Sequence, residues 1–151
     1  MRSPALSALL LAGLTVGTGA TASESAAQET TGNAVVPAEL DGTEWRLVEI
    51  DDRAAESDLP PVTLSFGPAR AEGSGGCNWY TAWLGEGAGE SFLVSYLNST
   101  HRDCAHPRIM DREARYLAAL EQVSGYRLTA GDLALVYRSG EAEARLVFTP
   151  D

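Results

Sequence analysis

Apolar and polar side chains alternate along most of this chain. In TEWRLVEI, from Thr43 to Ile50, Trp45, Leu47 and Glu49 fall on one side and Glu44, Arg46, Val48 and Ile50 on the other. A period of two built from Trp, Val and Ile suits a pleated, half-buried surface, so the run predicts a strand. Asp51 to Pro61 carries charges and a Pro-Pro pair and predicts a loop. Val62, Leu64 and Phe66 alternate with Thr63 and Ser65 in a second strand stopped by Gly67-Pro68, and Ala69 to Glu72 is a short third. Asn78 to Leu84 predicts a fourth strand. After the Gly85 to Gly89 turn, a fifth places Phe92, Val94, Tyr96 and Asn98 on one face and Leu93, Ser95 and Leu97 on the other.

The period changes at Pro107. In PRIMDREARYLAALEQVSG, the residues Ile109, Tyr116, Leu117, Leu120 and Val123 recur at helical spacings, with Arg112, Arg115 and Glu121 outside that stripe. One α-helix near 107–123 is predicted, opened by Pro107, whose missing N–H costs nothing in a first turn, and closed by Gly125. Tyr126 to Thr129, Leu133 to Arg138 and Ala144 to Thr149 then alternate again, joined by tight turns at Ala130-Gly131-Asp132 and Ser139-Gly140-Glu141. Short turns force antiparallel neighbours, and a sheet of seven or eight short strands with one apolar face tends to curl. The expected fold is therefore mainly β (α+β): a small antiparallel barrel-like sheet with the helix plugging or flanking it.

The first 37 residues stand outside this pattern. Arg2 precedes an apolar stretch from Ala5 to Val16, and Ala20-Thr21-Ala22 has the small-x-small form of a cleavage site. That stretch is short against the roughly 20 residues a membrane-spanning helix needs, so residues 1–22 are expected to be a secretory signal peptide. Residues 23–37 hold only Val35 and Val36 as sizeable apolar side chains and are expected to be a disordered linker. One domain, 38–151, remains. No cysteine lies near the expected cut, so lipid attachment there is excluded, and a soluble periplasmic or extracellular product is expected.

Export changes how the remaining chemistry is read. With Arg2 removed, ten arginines face 21 acidic residues, a formal charge of −11. This opposes nucleic acid and anionic membrane surfaces as partners. The absence of lysine excludes a lysine Schiff base, a P-loop lysine and a Ser-Lys pair. Cys77 and Cys104, in an oxidising compartment, are expected to pair in a disulfide closing a 28-residue loop, worth about 3 kcal/mol in the chain-entropy model. Two alternatives stand beside it. Cys77 could be a nucleophile served by His101 or His106, or Cys104 and His106, with His101 and Asp103, could ligate a metal. Solvated loop histidines are the plainer reading.

Gly73-Ser74-Gly75-Gly76 matches neither a nucleophile elbow, having Glu72 where that turn needs glycine, nor a phosphate cradle, and is expected to be a turn or bulge with positive φ. Asn98-Ser99-Thr100 fits a glycosylation acceptor. Trp79, Tyr80 and Trp83 crowd five positions and occupy both faces of one strand. One face belongs to the core, and the other offers a possible binding surface. No cofactor is expected.

Several of these residues together resemble the META domain, also called the HslJ-like domain. They are Leu40-Asp41-Gly42-Thr43-Glu44-Trp45, then Val62 to Phe66, Gly76-Cys77-Asn78, Thr100 and Cys104, and Met110 with Glu113 and Tyr116-Leu117 to Leu120. The resemblance spans nearly all of 38–151. It implies a lipocalin-like antiparallel barrel with one helix, often exported or lipid-anchored in bacterial envelopes and linked to stress. It implies no defining enzymatic activity and no catalytic residue to carry over. Gly42, Thr43, Trp45, Gly76, Cys77, Asn78, Thr100, Cys104 and Glu113 are the motif positions. Where the family pattern commonly continues with Gly and Tyr after Gly-Cys-Asn, this chain has Trp79-Tyr80-Thr81-Ala82-Trp83. The expected function is non-enzymatic binding of an unidentified protein or small apolar ligand.

Overall fold

The computed structural model describes residues 35–88 and 91–151, and the expected signal peptide lies outside them. Nine strands and one helix follow in chain order: β1 Glu44–Ile50, β2 Arg53–Ala54, β3 Thr63–Gly67, β4 Arg70–Ser74, β5 Trp79–Glu86, β6 Phe92–Ser99, α1 Pro107–Leu120, β7 Val123–Thr129, β8 Asp132–Ser139 and β9 Ala142–Pro150. Every pairing is antiparallel, and the sheet order is β6-β5-β4-β3-β1-β9-β8-β7, with β2 as a short spur on β1. The sheet curls into a half-barrel. Its two outermost strands meet through side chains rather than a ladder: Phe92 stacks on Tyr126 at 5.8 Å, and the Ser91 hydroxyl donates to the Ser124 carbonyl at 3.3 Å.

The concave face carries the core. Leu47, Leu64, Phe66, Ala82, Leu133, Leu135, Leu146 and Phe148 point into it from five strands, and Tyr116, Ala119 and Leu120 of α1 join the same cluster. The helix opens as the sequence indicates, with Pro107 in its first turn and the His106 Nδ1 accepting from the Arg108 N–H at 3.3 Å.

Several faces differ from the simple alternation, and bulges are the cause. Val48 is an extra residue in the β1–β9 ladder, so Ile50, expected opposite Leu47, turns inward with it and is buried. Ser95 is extra in the β5–β6 ladder, and beyond it Tyr96 faces solvent instead of sharing the face of Phe92. Asp51 and Asp52, both at positive φ, turn the chain straight into β2, making a two-residue hairpin where a loop was expected.

The helix stops at Leu120 rather than near 123, because Val123 already begins β7 and buries its side chain there. Gly125 is not a helix cap but lies just past a bulge at Ser124. Arg112, placed outside the apolar stripe, is 1% exposed. At the other end, Val36 of the expected linker is buried, and its N–H donates to the Pro68 carbonyl, so the packed chain starts before residue 38.

Candidate functional site

The motif residues converge where the loop after β4, the loop before α1 and the second turn of α1 meet. Cys77 and Cys104 form the expected disulfide, with Cα atoms 6.0 Å apart. Both sulfurs are thereby engaged, and neither offers a thiolate to a substrate or a metal. Beneath them sits Glu113. Its Oε2 accepts from the backbone N–H of Cys77 at 3.0 Å and of Asn78 at 2.6 Å, and its Oε1 accepts from Asn78 Nδ2 at 2.7 Å.

Asn78 is used to capacity. Its Nδ2 also donates to the Arg102 carbonyl at 3.2 Å, while its Oδ1 accepts from the Thr100 hydroxyl at 2.8 Å and the Arg102 N–H at 2.7 Å. Two donors and two acceptor positions are all satisfied within the chain. This cluster staples three segments together.

The glycine run has a specific physical cause. A Cβ on Gly75 would lie 2.5 Å from Glu113 Oε2, and one on Gly76, at φ +106°, would lie 2.6 Å from Arg112 Nη2. A Cβ on Gly73 would collide with the Thr63 carbonyl at 2.0 Å. The run thus lets the helix's charged side chains reach the backbone, a role beyond the expected positive-φ turn, which only Gly76 of the four adopts. Arg112 donates to the carbonyls of Glu56 and Pro60, tying the 55–61 loop to α1. Burial holds its pKa below the ordinary guanidinium value.

The other motif residues are equally occupied. The Thr43 hydroxyl donates to the Leu40 carbonyl at 2.6 Å and accepts from the Trp45 indole N–H at 2.7 Å, with Gly42 at φ +74° completing the turn. Tyr80, grouped with Trp79 and Trp83 as possible surface, belongs to the core. Its hydroxyl donates to the Thr63 carbonyl at 2.7 Å and accepts from the Tyr116 hydroxyl at 2.6 Å. Burial pushes both phenols well above their ordinary value. The histidines do not gather with Cys104: among the described residues no group of three His, Cys, Asp or Glu stands close enough to hold a metal ion.

Trp79 and Trp83 behave oppositely to Tyr80. Trp79 is 63% exposed and Trp83 43%, on the convex face of β5, and Trp83 packs against Tyr96 of β6, itself 60% exposed, at 5.5 Å. Two grooves run beside them. One, of about 470 Å³, is bounded by Trp79, Glu44, Glu72 and Asp151, and the other, of about 380 Å³, by Trp83, Arg70 and Phe66. Alternation along β5 put large aromatics on both faces of this strand, and the structure buries Tyr80 while exposing Trp79 and Trp83. Tyr96 was missed because the bulge at Ser95 leaves no mark in the pattern.

Comparison with known proteins agrees with this architecture. A profile of the META domain matches residues 38–150. Two solved structures are similar. One, titled as the NMR structure of a protein from Burkholderia xenovorans, has 26% identity and a TM-score of 0.57, covering 75% of this chain and 84% of that one. The other, also an NMR structure, has 24% identity and a TM-score of 0.57, covering 74% of this chain and 92% of that one. No curated protein matches the chain.

Proposed function

This chain belongs to the META domain family, and on that footing we propose that it is an exported, non-enzymatic binding protein of the cell envelope whose working surface is the convex aromatic face of β5 and β6. The observation that carries this reading is the exposure of Trp79, Trp83 and Tyr96 on one face, with Trp83 packed on Tyr96 and two grooves beside the tryptophans, while the motif residues are consumed by bonds within the chain. Large exposed aromatics grouped on one face, rimmed by polar side chains, have the composition of protein interfaces, where Trp and Tyr carry most of the binding energy. A sheet face of this kind favours a protein partner over a small apolar ligand enclosed in the barrel, whose concave side is taken up by core side chains.

Export is supported by the Cys77–Cys104 bond, which persists in oxidising compartments. No helix among the described residues is long and apolar enough to cross a membrane. Absence of catalysis is supported by the saturation of Asn78 and Glu113 and by the engagement of both cysteines.

The test is retention of envelope protein on immobilised domain. Wild type is expected to hold a partner that W79A/W83A releases, with the two proteins melting at the same temperature. Equal retention by both would refute the assignment of the surface.

A further inference from the structure

The cross-strand register sorts the convex face into lines. Glu44, Ser65, Glu72, Thr81 and Asn98 stand opposite one another across β1, β3, β4, β5 and β6. Trp79 lies two residues to one side of Thr81 and Trp83 two residues to the other, so this acidic line runs between the two tryptophans, which are about 13 Å apart along the strand.

The two sides differ in one respect. Beside Trp83, the chain supplies its own guanidinium: Arg70 is its cross-strand neighbour and places Nε 3.2 Å from Glu72 Oε2. Beside Trp79, the groove of about 470 Å³ has Glu44, Glu72 and Asp151 on its walls, Thr63, Ser65 and Thr81 among its polar lining, and no basic residue among the described residues that line it. Asp151 accepts from Arg46 at 2.8 Å, and Glu72 has its contact with Arg70. The Arg70–Glu72 pair is solvent-exposed on both sides, so it is screened and readily exchanged, whereas Asp151 is half-buried against Arg46. Glu44 has no ion pair among the described residues.

We propose that this groove binds a basic segment of a partner polypeptide, an arginine side chain lying on Trp79 with its guanidinium between Glu44 and Glu72. The proposal rests on the reading that the convex face is the binding surface. Charge complementarity selects the occupant: three carboxylates and an indole face form a site for a planar cation, and a chain whose formal charge is −11 without Arg2 draws a basic partner towards it. Arginine fits better than lysine because its flat fork can stack on the ring and donate to two carboxylates at once.

The experiment is a calorimetric titration of the folded chain with an oligo-arginine peptide and, as counterpart, an oligo-glutamate peptide. Saturable binding of oligo-arginine is expected, weakened about tenfold in W79A and about tenfold in E44Q/E72Q, both verified as folded by circular dichroism. Binding of oligo-arginine that is unchanged in both variants would overturn the proposal, since it would be diffuse attraction to an acidic surface. So would equal binding of oligo-glutamate. Failure here, with the envelope partner still lost from W79A/W83A, removes the basic occupant and leaves the surface assignment standing. Retention of that partner by W79A/W83A removes both.

Discussion

Glu113 shows how much a single side chain can organise. From one turn inside α1 it accepts three N–H bonds from Cys77 and Asn78, which would otherwise be donors facing the protein interior. In E113Q an amide N–H₂ replaces one of the two oxygens, so at least one of those donors loses its acceptor. A loss of about 2–3 kcal/mol is expected, measured as a lowered urea midpoint at unchanged slope. A midpoint equal to wild type would remove Glu113 from its stapling role. Helical spacing sets Arg112 and Glu113 three and four residues after Ile109, on the face of Tyr116, but a stripe read by polarity alone leaves Arg112 outside it, whereas both side chains are inside with partners.

The tyrosine pair gives a pH dependence with a definite sign. Burial raises the pKa of Tyr80 and Tyr116 in the folded chain, so above the ordinary tyrosine value of about 10 the unfolded chain loses protons that the folded chain retains. The unfolded state then binds fewer protons, and stability falls as pH rises. Below about pH 10 this contribution is fully present, and above it the loss is up to about 1.4 kcal/mol per pH unit for each tyrosine. Denaturant midpoints measured across that range should decline less steeply in Y80F/Y116F. An identical decline would show that these phenols ionise while the protein is folded.

At the scale of elements, the β-strands other than β2 and the helix start were legible because each depends on local pattern: alternation for β3 and β5, Pro107 for α1. Phase was less so. The bulges at Val48, Ser95 and Ser124 each insert one residue, and whatever follows changes face, as Ile50 and Tyr96 do. Such insertions are set by pairing partners distant in the chain, Val147 for Glu49 and Leu84 for Val94, so nothing beside the bulge announces it. The disulfide was legible from the cysteine count and the expected export, and it ties the entry of β5 to the loop before α1. C77S/C104S is expected to lose about 3 kcal/mol while keeping its far-ultraviolet spectrum, since the Asn78–Glu113 bonds still hold the segments. Loss of the helix signal would instead make the covalent tie the primary staple.

For the whole molecule, the consequence is a division of labour between the two faces of one curled sheet. The concave face and α1 absorb the core and the motif residues, and the convex face is left with Trp79, Trp83 and Tyr96 in a setting of carboxylates. The sequence announced the tryptophans but not which side of the sheet each would take, because strand burial depends on what packs across it. Other exposed apolar side chains, Val48 and Leu128, lie on strands away from this patch and serve as internal controls. Hydroxyl-radical footprinting, read by mass spectrometry with and without envelope protein, compares all of these side chains in one sample. Protection confined to Trp79, Trp83 and Tyr96 is the expected result. Unchanged oxidation of those three, or protection centred on Val48 or Leu128, would contradict the convex aromatic face as the binding surface.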